Sequence, residues 1–223
     1  MDRSLNQITY DRFKKDIMTF ALKPGELVSA SKIAERYGVS RTPAREALVR
    51  LQDEGMIDIF PQSKSMISKI NEERIWQEWF VRKSLEMGMV DAFFRGVREE
   101  DIVKMKECVE RLRNLTLKPV SHEVSFEYIC CDDVFHYLFH IAAGEKLAAD
   151  IIRNSLPNYK RVRLLIDMDN TYKDRTISDH EELIRLAEEG KVKEYRVFLE
   201  DHLNHIVRDI PAMREKYPSM FEN

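Results

Sequence analysis

The chain has 223 residues, 43% of them hydrophobic and 34% charged, with a formal net charge of −3. This composition excludes a disordered segment, and no apolar run approaches the roughly 18–20 residues a membrane-spanning helix needs. The first residues, MDRSLNQITYDRF, lack the apolar stretch of a secretory signal, so a cytoplasmic protein without membrane attachment is expected.

The charge is unevenly distributed. Residues 1–70 hold 12 Lys and Arg against 9 Asp and Glu, whereas the remainder holds 24 against 30. A basic first part on an acidic second part suits a nucleic-acid-binding head joined to a body with another task. The length is enough for two such domains, placed here at 1–70 and 71–223. The cysteines Cys108, Cys130 and Cys131 are odd in number and form no CxxC. They read as buried free thiols, and neither a disulfide framework nor a zinc finger is expected.

In chain order, residues 6–21 carry Ile8, Tyr10, Phe13, Ile17 and Phe20 near helical spacing and end before Pro24-Gly25. A second helix covers about 30–37 and stops at Gly38. The third opens with Thr42 as N-cap and Pro43 in the first helical position, buries Ala47, Leu48 and Leu51, and stops at Gly55. The runs MIDIF and SMISKI then alternate as strands around a Pro61-Gln62-Ser63-Lys64 turn. From Asn71, a cap for a long helix, the chain reads as helix throughout. Breaks fall at Gly96, Lys118-Pro119, Gly144, Asp169-Asn170 and Gly190, and a kink is expected at Pro157. The fold class is therefore mostly α: three helices and a β-hairpin, followed by an all-helical bundle of about six helices.

Two short helices meeting at Gly38, with Arg41, Thr42 and Arg45 at the start of the second, have the pattern of a winged helix-turn-helix. The start of its recognition helix enters the major groove, where arginine reads guanine O6 and N7 and threonine contacts phosphate or base. In the second part, Asp132 and His136 lie one helical turn apart, and His180 and His202 fall on successive helices either side of Gly190. One carboxylate and three imidazoles suit a divalent ion. His140 and His205 sit one turn beyond His136 and close to His202, and spacing alone does not choose among these histidines. Arg82 is either a partner for a ligand carboxylate or a bridge to Glu86, four residues on. Trp76, Trp79 and Phe80 read as core or dimer interface.

The segments LKPGELV, IAERYGVSRTPAREAL, RLQDEGMI and FPQSKSMIS resemble the GntR family of transcription regulators without a gap from about Tyr10 to Ile67. The resemblance implies DNA contacts at Arg41, Thr42 and Arg45, and a further contact position at Ser31. Many members have arginine there, with Lys32 the available substitute in this chain. It also puts Lys64 at a wing tip that usually carries glycine. Residues 75–209 resemble the FCD domain of the FadR subfamily through VRKSLE, DDVFH, AGEKL, HEEL and EDHL. That resemblance selects Asp132, His136, His180 and His202 as the ligands of a divalent metal, zinc foremost, with nickel, manganese, cobalt or iron as the other candidates. It makes Arg82 an effector contact and a small carboxylate the effector. A homodimer repressing transcription from a double-stranded DNA operator and released by that acid is the expected function. A metalloenzyme and a regulator with a purely structural metal are the alternatives.

Overall fold

The computed structural model describes residues 4–60, 64–169 and 173–222. By its internal contacts the chain divides into two compact units, Met1–Glu72 together with Arg214–Asn223, and Glu73–Met213.

The first unit begins with α1, Leu5–Met18, started by Ser4, whose hydroxyl accepts from the Gln7 amide at 3.2 Å. Its Phe13 and Ile17 are fully buried. Helix α2, Ala30–Tyr37, is capped by Ser29, which accepts from the Lys32 amide at 3.3 Å, a contact worth about 1 kcal/mol. It ends at Gly38 with φ +65, a left-handed conformation in which any Cβ is strained. Helix α3, Arg41–Asp53, buries Ala44, Ala47, Leu48 and Leu51 against this pair. It starts earlier than Thr42 and Pro43 suggested: extended Ser40 is the N-cap, and Pro43 stands third in the helix. A proline is tolerated there because first-turn amides have no intrahelical acceptor to lose.

The hairpin strands are β2, Ile57–Phe60, and β3, Lys64–Ile67, paired antiparallel from Ile57↔Ile67 to Phe60↔Lys64. The expected turn residues Pro61, Gln62 and Ser63 lie outside the described residues. A two-residue strand β1, Leu27–Val28, adds to β3, giving the order β1-β3-β2. Two residues are too few for any alternation to be read.

The end of the chain belongs to this first unit too. Ile70 donates to the Met220 carbonyl at 2.8 Å, Glu222 donates back to Ile70 at 3.0 Å, and Arg214 pairs with Glu72 at 2.5 Å. Phe221 is fully buried. The sequence boundaries had put all of 71–223 in the second domain. Pairing between segments some 150 positions apart, as in Asn71 to Glu222 at a separation of 151, leaves no local pattern to read.

The second unit is all helical. Its elements are α4 (Glu72–Gly96), α5 (Glu99–Thr116), α6 (His122–Ala142), α7 (Lys146–Asn154), α8 (Pro157–Met168), α9 (Lys173–Glu188) and α10 (Val192–Lys216). The expected kink at Pro157 is a break: α7 stops, and Pro157 occupies the first position of α8, where its missing N–H costs nothing. Pro211 does not end α10, which continues to Lys216. The core is tied by aromatic contacts, with Phe93 of α4 4.8 Å from Phe139 of α6 and 5.4 Å from Tyr195 of α10, centroid to centroid. Each such pair adds about 0.5–1.5 kcal/mol beyond area burial. Gly96 permits the approach of α4 to the end of α6, since a Cβ there would stand 2.2 Å from the Ala142 carbonyl oxygen. Trp79 is half-buried and donates to the Leu203 carbonyl at 2.9 Å, whereas Trp76 and Phe80 are exposed in the single chain. No helix among the described residues is long and apolar enough to cross a membrane.

Candidate functional site

Helices α6, α9 and α10 each bring histidine to one point. Ligand atoms of His136, His180 and His202 lie within 4.8 Å of one another. Asp132, one turn before His136, places Oδ1 3.4 Å from His180 Nε2 and Oδ2 3.9 Å from His136 Nε2. The four residues singled out in the sequence are thus neighbours in space. His180 is held flat against Phe135, ring centroids 3.7 Å apart and planes within 7°.

The partners of these rings fix their tautomers. His136 Nδ1 is 2.8 Å from Glu86 Oε2, and His202 Nδ1 is 2.9 Å from Asp179 Oδ2. An ionised carboxylate only accepts, so a neutral ring held this way carries its proton on Nδ1 and leaves Nε2 free to bind a cation. Those two Nε2 atoms face each other at 3.4 Å. Two lone pairs at that distance repel unless a cation lies between them. A tetrahedral zinc site with Zn–N bonds of about 2.0–2.1 Å separates its ligand atoms by about 3.4 Å. Neither ring nitrogen of buried His180 has a hydrogen-bond partner among the described residues, at a cost of about 1–3 kcal/mol for each unsatisfied group. The donor set therefore fits a divalent ion.

Burial lowers the basicity of both His136, against the pull of Glu86, and His180, which falls well below its ordinary value. Burial raises the Asp132 carboxyl, but Arg163, His136 and His180 together outweigh it and bring it to about 2. Asp132 is thus held as a carboxylate and His136 and His180 as neutral imidazoles, the forms that a divalent ion binds. For the imidazoles the unfolded chain titrates near 6.5 and the folded site lower. Between those values the unfolded chain binds more protons, so stability is full above 6.5 and declines as pH falls. The melting temperature of metal-free protein is expected to drop between about pH 7 and pH 5, with a shallower fall in a His136→Gln, His180→Ala double variant. An equal slope in the two proteins would assign the effect to other groups.

Beside the cluster lies a cavity of about 90 Å³, bordered by Arg82, Arg163, Lys173, Tyr128, Tyr159 and His202. Arg82 donates to Glu86 at 2.7 Å and to the Tyr159 hydroxyl at 3.2 Å, so the bridge to Glu86 coexists with its place in the cavity wall. Arg163 pairs with Asp132 and, at 2.6 Å, with Asp133. Spacing arguments passed over Arg163 and Asp179, and left His205 unchosen. Asp179 immediately precedes His180, and His205 Nδ1 lies 3.1 Å from Asp179. His140, also set aside, is buried 3.7 Å from Glu86. A carboxylate adjacent to, or one turn from, a candidate ligand was the signal available for these partners.

In the first unit, Arg41, Thr42 and Arg45 are exposed on α3, on the side away from Ala44, Ala47 and Leu48. Ser31 and Lys32 are exposed in the first turn of α2, with Lys32 Nζ donating to the Leu27 carbonyl at 3.3 Å. Lys64 is exposed at the start of β3. Arg50, further along α3, is anchored over the Tyr10 ring at 3.7 Å.

Residues 5–67 match the gntR family of bacterial regulatory proteins, and residues 79–205 match the FCD domain. The chain is 27% identical over 212 residues to an uncharacterized HTH-type transcriptional regulator in an unstable DNA locus of Streptomyces ambofaciens, covering 95% of this chain and 87% of that one. It is 24% identical over 219 residues to the HTH-type transcriptional repressor RspR of Escherichia coli K12, covering 97% and 93%. Escherichia coli McbR/YncC has the same fold, with a TM-score of 0.76 at 18% identity over 97% of this chain and 100% of that one. A winged helix-turn-helix followed by an FCD domain defines a DNA-binding transcription regulator, not an enzyme. The chain belongs to the gntR family of bacterial regulatory proteins.

Proposed function

We propose that this regulator is a homodimeric repressor whose hold on its operator is relieved by a small carboxylate, bound beside a divalent ion in the FCD domain. The observation that carries the reading is the pair of facing Nε2 atoms of His136 and His202, 3.4 Å apart, with His180 beside them, whose ring nitrogens have no hydrogen-bond partner among the described residues. Asp132, His136, His180 and His202 would hold the ion, zinc foremost. When bound, such an ion supplies a position that accepts a carboxylate oxygen. Around it, Arg82 and Arg163 provide the charge that an anion requires. A space of about 90 Å³ suits an acid of a few carbons, since a liquid water takes about 30 Å³.

In the head, Arg41, Thr42 and Arg45 would enter the major groove. Ser31 and Lys32 would meet the backbone at the start of α2, and Lys64 would reach phosphate or minor groove from the wing. Two such heads read two half-sites of a near-palindrome. The acid acts only to the extent that it prefers one of two states of the dimer.

One observation favours a second reading, a purely structural ion. The Lys and Arg side chains of the cavity wall each have an acid partner: Arg82 with Glu86, Arg163 with Asp132 and Asp133, Lys173 with Asp167 at 3.4 Å, and Arg175 with Asp209 at 3.5 Å. Operator titrations separate the two. With zinc-loaded protein and a panel of hydroxy acids and dicarboxylates, the acid that raises the melting temperature should also weaken operator binding about tenfold, within the usual 1–3 kcal/mol of allosteric coupling. The same acid should do nothing to chelator-treated protein. If no acid shifts either quantity while the chelator lowers the melting temperature, the ion is structural and the sensing role fails.

A further inference from the structure

Outside the histidine cluster, one pair of reactive groups stands unused. Cys108 of α5 and Cys131 of α6 are both buried, with their sulfurs 3.5 Å apart. Each thiol is also directed at the other residue's carbonyl, Cys108 Sγ to Cys131 O at 3.1 Å and Cys131 Sγ to Cys108 O at 3.5 Å. Each thiol can therefore donate either to the other sulfur or to a carbonyl, and the two sulfurs are in direct contact. A disulfide closes at about 2.05 Å, so the sulfurs need to approach by only about 1.5 Å. Cys130, by contrast, is exposed.

The location gives such a bond a consequence. Cys131 directly precedes Asp132, and α5 packs against both α6, which carries Asp132 and His136, and α9, which carries His180. We propose that Cys108 and Cys131 form a reversible intramolecular disulfide under peroxide, a modification site that ties α5 to α6 beside the histidine cluster. The chemistry balances with hydrogen peroxide as the oxidant. One thiol sulfur takes a peroxide oxygen to become a sulfenic acid; the O–O bond breaks and water leaves. The other sulfur attacks that sulfenic sulfur, the S–S bond forms, the S–O bond breaks, and the hydroxyl departs with the thiol proton as a second water. A reducing thiol reverses the bond, as suits a compartment in which lasting disulfides are rare. Drawing α6 towards α5 next to Asp132 moves a residue of the cluster, and weakens zinc binding about tenfold, the scale of losing an outer contact to a ligand. This second consequence rests on the metal reading above; the bond itself does not.

The test is peroxide treatment of the full-length protein, followed by alkylation under denaturing conditions, intact mass and peptide mapping. The expected product has lost the mass of two hydrogens, is alkylated at Cys130 alone, and yields a linked peptide joining α5 to α6 that dithiothreitol releases. Cys130→Ser should keep the link, while Cys108→Ser and Cys131→Ser should each abolish it. Alkylation at all three cysteines, a link through Cys130, or sulfinic acid in place of a link would overturn the proposal. Zinc titration of the oxidised and reduced forms then reads the coupling. Equal affinity overturns the coupling and leaves the link standing. Failure of both forms to bind zinc overturns the metal reading, while the mass result still decides the bond.

Discussion

His180→Ala should strip the protein of its metal while leaving it folded. Structural zinc sites with four protein ligands gain about 10–16 kcal/mol at neutral pH, so one ligand in four is worth about 3 kcal/mol, a loss of more than a hundredfold in affinity. The metal-free fold has less to lose. The ring's stacking on Phe135 disappears, but so do two buried nitrogens that have no hydrogen-bond partner among the described residues, and these terms oppose each other. Glu86→Gln is the graded companion. It keeps the size of the side chain that holds His136 Nδ1 at 2.8 Å but removes the charge that orients the ring, and should cost about 10–100-fold in zinc affinity. Competition titration against a chromophoric chelator measures both. Wild-type affinity in His180→Ala would remove that residue from the set.

Arg45→Ala should weaken operator binding by about 1–3 kcal/mol, roughly tenfold or more. Arg45 stands one turn after Arg41 on the exposed face of α3, and neither its burial nor any partner among the described residues gives it a structural task. Substitution there should therefore leave the melting temperature unchanged. If Arg45 reads a base, the loss is confined to the cognate sequence. If it meets a phosphate, the loss is uniform across sequences, and the slope of affinity against salt falls by about one charge. Unchanged affinity on every sequence would move the recognition surface elsewhere. Arg50 is the control on the same helix: it lies over the Tyr10 ring, so its removal should lower head stability first.

The head was legible because its signals are local. A left-handed glycine at Gly38 and an apolar stripe at Ala47, Leu48 and Leu51 each act within one or two turns. Even so, the start of α3 was misplaced by two residues, because a proline tolerated anywhere in the first turn does not say which position it fills. The return of the chain end to pair Ile70 with Phe221 left no trace, since such pairing has no period. In the second unit, the histidines that gather at one point could be proposed from spacing but not chosen from it. By spacing His140 and His205 had equal claims, and it was the family resemblance that set them aside; in the structure His140 lies 3.7 Å from Glu86 and His205 3.1 Å from Asp179. Arg163 escaped notice because its partners, Asp132 and Asp133, lie about 30 positions away, a distance at which charge complementarity cannot be read from a sequence.

Above all, this reading requires the FCD domain of a gntR-family regulator to hold a divalent ion together with a small acid. Native mass spectrometry of the intact protein, purified without chelator, tests it most directly, because mass reports the dimer, the metal and a retained acid together. The account predicts a dimer with one divalent ion per chain, an additional small acid that is lost on collisional activation, and neither in the His180→Ala protein. A folded dimer free of metal in the wild type, still able to bind its operator and respond to an acid, would contradict it.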